Sequence, residues 1–318
     1  MFGRIWQSLQ GSRVPPTETR AVSISLTVSM ALLFIKFAAY FLTESTAIFS
    51  DAVESIANVM GSLMAFYALV VAHRPPDEEH PYGHGKIEFL SAMFEGGMVL
   101  LAAIYILIRT VDAIWHGALV LDQQLNLGLG LMALALAVNG IVGLYLIRVG
   151  RKQASMTLEA DGKHLLSDAL TSVAVLIALG LVKWTGWVYF DPITALLIGA
   201  YIAWMATGLI RRSGARLMDR QDVEDMQLLR DILDAHLGPA GLEPRICGYH
   251  KLWHRHSGRY HWVDFHIQVP GNWTIERGHE VAGAIEGEMA RGLREAKATA
   301  HVEPCLGENC RLCQVPKH

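Results

Sequence analysis

Residues 46–72 read TAIFSDAVESIANVMGSLMAFYALVVA, and the fold turns on this stretch. It is long and apolar enough to cross a bilayer core of roughly 30 Å, which takes about 20 helical residues. Yet it carries Asp51, Glu54 and Asn58. Residues 156–184, MTLEADGKHLLSDALTSVAVLIALGLVKW, repeat the pattern with Asp161, His164 and Asp168. An ionisable group at the bilayer centre costs roughly 2.5–3.5 kcal/mol. Four unpaired acids would therefore cost on the order of 10 kcal/mol, as much as a whole domain's net stability. Something must compensate them. Residues four apart share a helix face, so Glu54 pairs with Asn58 and His164 with Asp168. The two triplets also echo one another: Asp51/Asp161, Glu54/His164 and Asn58/Asp168 are each 110 positions apart. If the two helices pack, one nitrogen and three oxygens converge, a set suited to a tetrahedral divalent cation. Lys163 adjoins His164, but its helical direction is about 100° away. A purely structural hydrogen-bond network between helices is the competing reading.

Working outward, four more apolar stretches occupy Ala21–Leu42, Phe89–Trp115, Leu125–Val149 and Val188–Ile210. The expectation is a six-helix transmembrane domain over residues 21–212, after a short segment over 1–20. The first span is too long for a signal peptide and carries Lys36. Of 318 residues, 52% are hydrophobic and only 18% charged, below the quarter usual for a soluble domain, which argues against a simple globular enzyme. A net charge of −3 argues against a nucleic-acid partner. Basic residues alternate between loops: Arg4, Arg13 and Arg20, then Arg74 and Lys86, then Arg148, Arg151 and Lys152, then Arg211, Arg212 and Arg216. The positive-inside rule then places both termini in the cytoplasm.

Residues 213–304 read as a small α+β unit. Gln221–Leu237 and Thr274–Leu293 have helical spacing, with Thr274 as N-cap. Arg245–His254 and Arg259–Val269 alternate like strands around a turn at Ser257-Gly258, and Lys297–Val302 reads as a third strand. The order αββαβ predicts a three-stranded, ferredoxin-like sheet with two helices on one face. Strict alternation would set His250, His254 and His256 on one face, open to a larger imidazole cluster with His261. The loop Asp77-Glu-Glu-His80-Pro-Tyr-Gly-His84-Gly-Lys86 holds an acid and two imidazoles within eight positions. Over residues 305–318, Cys305, Cys310 and Cys313 end in a C-x2-C spacing that binds metal in other proteins, with Cys247 or a His as a fourth ligand. Four cysteines so placed fit reduced thiols better than a disulfide framework.

At these residues the chain resembles the cation diffusion facilitator family, from about Ala21 to Cys305. The resemblance implies six spans, a cytoplasmic αββαβ domain, a homodimer, and export of divalent metal in exchange for protons from a bacterial inner membrane. It implies a transport site at Glu54, Asn58, His164 and Asp168, with Asp51 and Asp161 as auxiliary ligands or proton carriers. The family usually has Asp or His first and Asp second on span two, so Glu54 and Asn58 depart from it. The cargo it implies is zinc. One imidazole with three oxygens is a harder set, which gives weight to iron, manganese, cobalt or cadmium. Asp77, His80 and His84 match a weak loop site. Lys86 and Asp219 match a salt bridge between the domains. His250, His266, His279, His301 and Glu303 match a metal site in the cytoplasmic domain, with Glu closing the set where Asp is usual. Two other classes compete. An intramembrane metalloenzyme would need a general base beside its metal, and no H-E-x-x-H is present. A membrane-anchored metal sensor would have no use for acids at one height in two spans.

Overall fold

The computed structural model describes residues 15–43, 46–116, 125–185, 190–293 and 295–306. It divides into two compact units, Met1–Gly214 and Ala215–His318. The first is helical. Its helices are α1 (Pro16–Thr43), α2 (Thr46–Ala72), α3 (Ile87–His116), α4 (Leu125–Gln153), α5 (Met156–Thr185) and α6 (Phe190–Leu217), the last running on into the second unit. Four of them contain stretches long and apolar enough to cross a membrane, in α1, α3, α4 and α6. The other two, α2 and α5, are the ones whose sequences are interrupted by acids, amide and imidazole.

The polarity of this unit is inverted relative to a water-soluble bundle. Phe34, Leu101, Ile108, Ile141, Leu197 and Trp204 are exposed, while Ser25, Ser29, Ser62, Asn58, Glu95, Asp161 and His164 are buried. Lipid tails are as apolar as leucine, so polar groups are driven inward, where other helices can satisfy them. Apolar contacts also knit the bundle. Ala21 and Val22 of α1, Leu69 of α2, Leu146 of α4 and Leu158 and Leu165 of α5 form one cluster. Val99 and Ala103 of α3 meet Ile202 and Ala206 of α6 in another.

Helices α4 and α5 touch backbone to backbone. A Cβ on Gly162 would lie 2.8 Å from the Gly143 carbonyl oxygen and 2.8 Å from the Ile147 nitrogen. A Cβ on Gly143 would lie 2.8 Å from the Gly162 carbonyl oxygen. Small residues permit this approach where no hydrophobic effect drives helices together. Gly162 falls between Asp161 and His164, so the contact also fixes the height of the polar stripe on α5.

The second unit contains α7 (Val223–Ala235), β1 (Gly248–Ser257), β2 (Tyr260–Pro270), α8 (Ile275–Gly292) and β3 (Ala296–Cys305). The strands lie in the order β1-β2-β3, with β1/β2 antiparallel and β2/β3 parallel. Asp222 caps α7 and Thr274 caps α8, each side chain accepting from a backbone N–H in the first turn. Gly258 turns the hairpin at φ 64. Met226, Leu229 and Leu233 of α7 and Val281, Ile285 and Met289 of α8 pack on Val263, Phe265, Ile267 and Val269 of β2. The expected αββαβ order and its single helix-covered face are therefore present.

One expectation about this sheet is corrected. His250, His254 and His256 do not share a face. His250 pairs with His266, whereas His254 pairs with Val263 and His256 with His261, across a register shift between His250 and Trp253. Residues 266 and 263 have opposite parity on β2, so the two groups lie on opposite faces. Lys251 sits at φ 50 within the shift. A bulge of this kind adds a residue to one strand and inverts its alternation beyond that point.

The glycine contact is testable. Gly162→Ala should destabilise the bundle by about 1–3 kcal/mol through overpacking and lower the melting temperature of the detergent-solubilised protein. Gly208→Ala, where no atom lies within 4 Å of the new Cβ, should leave it unchanged.

Candidate functional site

Asn58 is the joint between α2 and α5. Its Nδ2 donates to Asp168 Oδ2 at 2.6 Å, and its Oδ1 lies 3.0 Å from His164 Nε2. One amide thus spans the His-x-x-x-Asp pair on α5. With Asn58 donating through Nδ2, its Oδ1 must accept, so His164 Nε2 carries the proton in this arrangement. The helical spacing of four residues places both α5 side chains on the face that α2 meets. The side chains of Asp51 and Glu54 lie outside the described residues.

Asp161 is placed differently from His164. Its Oδ2 accepts from Ser25 Oγ at 2.7 Å and its Oδ1 from Ser62 Oγ at 3.3 Å. Ser62 Oγ also lies 3.1 Å from both Ser25 Oγ and Ser29 Oγ. A serine cluster from α1 and α2 thus compensates this carboxylate. Lys163 pairs with Glu159 one turn earlier, away from His164, as its helical direction requires.

The sequence reading missed Glu95. This α3 side chain is buried, and its Oε1 lies 3.9 Å from His164 Nε2. Neither of its carboxylate oxygens has a hydrogen-bond partner among the described residues. Gly61 of α2 makes room for it: a Cβ there would lie 2.6 Å from Glu95 Oε1. The available signal was an acid inside an apolar span. Without an acidic, amide or imidazole partner three or four positions away on its own helix, it did not stand out as the α2 and α5 triplets did.

The loop residues also meet. Asp77 Oδ1 accepts from the His80 backbone N–H at 2.6 Å and lies 3.1 Å from His80 Nδ1, and Asp77 Oδ2 lies 3.3 Å from His84 Nε2. Asp77 is held below the usual carboxylate range, first by that backbone hydrogen bond.

In the second unit His250, His266 and Glu303 converge on the sheet face away from the helices. Glu303 Oε1 lies 2.7 Å from His266 Nδ1, and Glu303 Oε2 lies 3.2 Å from His250 Nε2. His301 faces His266 across the parallel pair, its Nε2 3.8 Å from Glu303 Oε1. His279 is exposed on the second turn of α8 and stands outside this group. Asp219 turns the chain after α6 at φ 58 and lies 3.9 Å from Arg255. Cys305 is the last residue of β3 and half-buried. Cys310 and Cys313 lie outside the described residues.

Two family models match the chain. One is the cation efflux transmembrane domain, over residues 22–218, and the other the cation efflux protein cytoplasmic domain, over residues 240–305. The chain belongs to the cation efflux family, the cation diffusion facilitators. It is similar to an uncharacterized transporter of Synechocystis sp., at 37% identity over 281 residues, covering 88% of each chain. It is similar also to the cation-efflux pump FieF of Salmonella arizonae, at 29% identity over 289 residues, covering 90% of this chain and 93% of the pump. The FieF pump of Salmonella agona matches to the same extent. This cation efflux transporter is accordingly a multi-pass integral membrane protein.

His254, His256 and His261 of the transporter's second unit lie beneath α7 on the helix-covered face. Burial pushes His254 and His261 below the usual imidazole value and His256 down to about 3. Glu303 moves the other way for a carboxylate. The hydrogen bond from His266, with the nearby imidazole charges, holds it below its ordinary value of 4.5. Because the folded value is depressed, the stability Glu303 contributes is present above pH 4.5 and lost as pH falls through the folded value. In metal-free protein its carboxyl NMR signal should titrate below 4.5, and His266→Ala should move the midpoint upward. An unmoved midpoint would count against the pair.

Proposed function

We propose that the protein exports divalent transition-metal ions from the cytoplasm in exchange for protons. Zinc is the first candidate cargo, with iron, manganese, cobalt or cadmium as alternatives. It would work as a homodimer in a bacterial inner membrane, with both termini cytoplasmic. The observation that carries this reading is the Asn58 amide bridging His164 and Asp168 inside the membrane unit. Two hydrogen bonds hold together the groups a cation would need. Metal binding at His164 Nε2 requires that nitrogen to lose its proton, and at Asp168 it requires the ionised carboxylate. Loading that starts from the His164 imidazolium or a protonated Asp168 expels that proton, and protons arriving from the other side return to the same groups and displace the ion.

Each residue has a role in this cycle. His164 is the exchanging group, since its unperturbed pKa of about 6.5 lies near physiological pH. Asp168 and Glu54 supply negative charge, and Asn58 a neutral oxygen. Glu95 stands beside His164 as counter-charge for a transient imidazolium. Asp51 and Asp161 sit one turn before the ligands, and Asp161, held by serines, would serve as a relay for protons. Alternating access around such a site is the usual behaviour of carriers with a binding site near the bilayer midplane.

The other groups read as accessory metal sites: Asp77, His80 and His84 in the loop, and His250, His266, His301 and Glu303 on the sheet, joined by His279 in the assembled dimer. The cytoplasmic domain would then favour one arrangement of the dimer when metal is abundant. Lys86 and Asp219 would tie the spans to that domain. Cys305, Cys310 and Cys313 would capture metal at the chain's end.

Inverted membrane vesicles supply the test. His164→Ala should abolish metal-dependent proton release and ion uptake across a panel of divalent ions. Uptake at the wild-type rate in that variant would remove the site. Asn58→Asp adds a carboxylate and should shift the order of preference among the same ions.

A further inference from the structure

We propose that Asp225, His254, His256 and His261 form a closed site for one divalent cation of the zinc class, separate from the His250–His266–Glu303 group. One ligand atom from each lies within 4.8 Å of all the others. Asp225 Oδ2 is 3.7 Å from His254 Nε2, 3.2 Å from His256 Nε2 and 3.5 Å from His261 Nδ1. His254 Nε2 is 3.1 Å from His261 Nδ1. Four ligands at about 2.0–2.1 Å from a tetrahedral ion are about 3.3–3.4 Å from one another. These four separations, from 3.1 to 3.7 Å, bracket that edge length.

Burial supports the same reading. The side chains of His254, His256 and His261 are 0%, 7% and 15% exposed, and that of Asp225 is 23% exposed. His256 Nε2 makes no hydrogen bond among the described residues although it lies 3.2 Å from the Asp225 carboxylate. A nitrogen at that distance but off the hydrogen-bond direction is placed to share a third atom with the carboxylate. Three neutral imidazoles and one carboxylate fit a borderline cation better than calcium or magnesium, which take oxygen ligands.

The bulge creates this site. By inverting the alternation of β1 after His250, it sends His254 and His256 under α7 and leaves His250 on the open face. The two groups therefore occupy opposite faces of one sheet. Four protein ligands leave no open position, so the ion would be held rather than passed on. It would clamp the first turn of α7 to the hairpin tip and so order the segment following α6. Arg216 lies 3.6 Å from Asp222 and Arg255 3.9 Å from Asp219 in the same segment.

The experiment uses full-length protein in detergent, stripped with a chelator and titrated with Co2+ as the probe. Wild type is compared with Asp225→Asn, His256→Gln and His266→Ala. Asp225 is partly exposed, and Asn keeps its shape, so this variant reports on the site if the more buried His256→Gln fails to fold. Asp225→Asn should weaken one cobalt equivalent per chain by at least the roughly 100-fold seen for losing a supporting partner of a ligand. The visible absorption of tetrahedral cobalt should fall with it. His266→Ala should retain that equivalent and its spectrum. Identical stoichiometry, affinity and spectrum in wild type and Asp225→Asn would overturn the proposal and leave a hydrogen-bonded histidine cluster.

Discussion

Everything in the membrane unit depends on how carboxylate, amide and imidazole are compensated out of contact with water. A buried charge is tolerable only when hydrogen bonds, counter-charge or a metal ion replace its hydration. The described residues of the bundle supply hydrogen bonds and counter-charge. Three serines gather at Asp161, the Asn58 amide joins Asp168 to His164, and Glu95 stands opposite the same imidazole. The sites differ in how completely they are satisfied. Asp161 is held on both oxygens by hydroxyls, whereas Glu95 has no hydrogen bond among the described residues. The first is held in place by its hydroxyl neighbours, whereas the second has His164 Nε2 at 3.9 Å beside it.

The scaffold serves this arrangement. Gly143 and Gly162 bring α4 and α5 into backbone contact, and Gly61 opens the pocket that Glu95 fills. The apolar clusters set the rotation of each helix, and an aspartate turned to the lipid side would cost roughly 2.5–3.5 kcal/mol. Membership of the cation efflux family gives the geometry its meaning. The same polar stripe in an isolated anchor would have no function, whereas a cation efflux transporter has a use for polar groups within its spans.

The soluble unit shows the same chemistry with different physics. The imidazoles on its strands sort into two sets by the face they occupy. The open-face set leans on Glu303, which stays ionised through their hydrogen bond and charge. The covered set is desolvated and therefore neutral. Neutral nitrogen is the form that binds metal. Sheet parity thus decides which histidines meet water and which meet one another.

Much of this was legible in the chain itself. Six long apolar runs, two of them broken by acids in matching positions, fix a helical membrane domain, because lipid allows few alternatives. Helical periodicity gave the Asn58, His164 and Asp168 face, and the Thr274 cap and the Ser257-Gly258 turn of the αββαβ unit were readable too. What the sequence could not reveal depends on contacts between elements. Glu95 belongs to the site only because α3 brings it to α5. Asp161 is satisfied by serines more than ninety positions away. A one-residue bulge at Lys251 carried His254 and His256 to the face opposite the one that simple alternation predicts. Local propensity and periodicity act within an element and can be read along the chain, whereas pairing register and interhelical approach are decided by packing, which exists only once the elements have met.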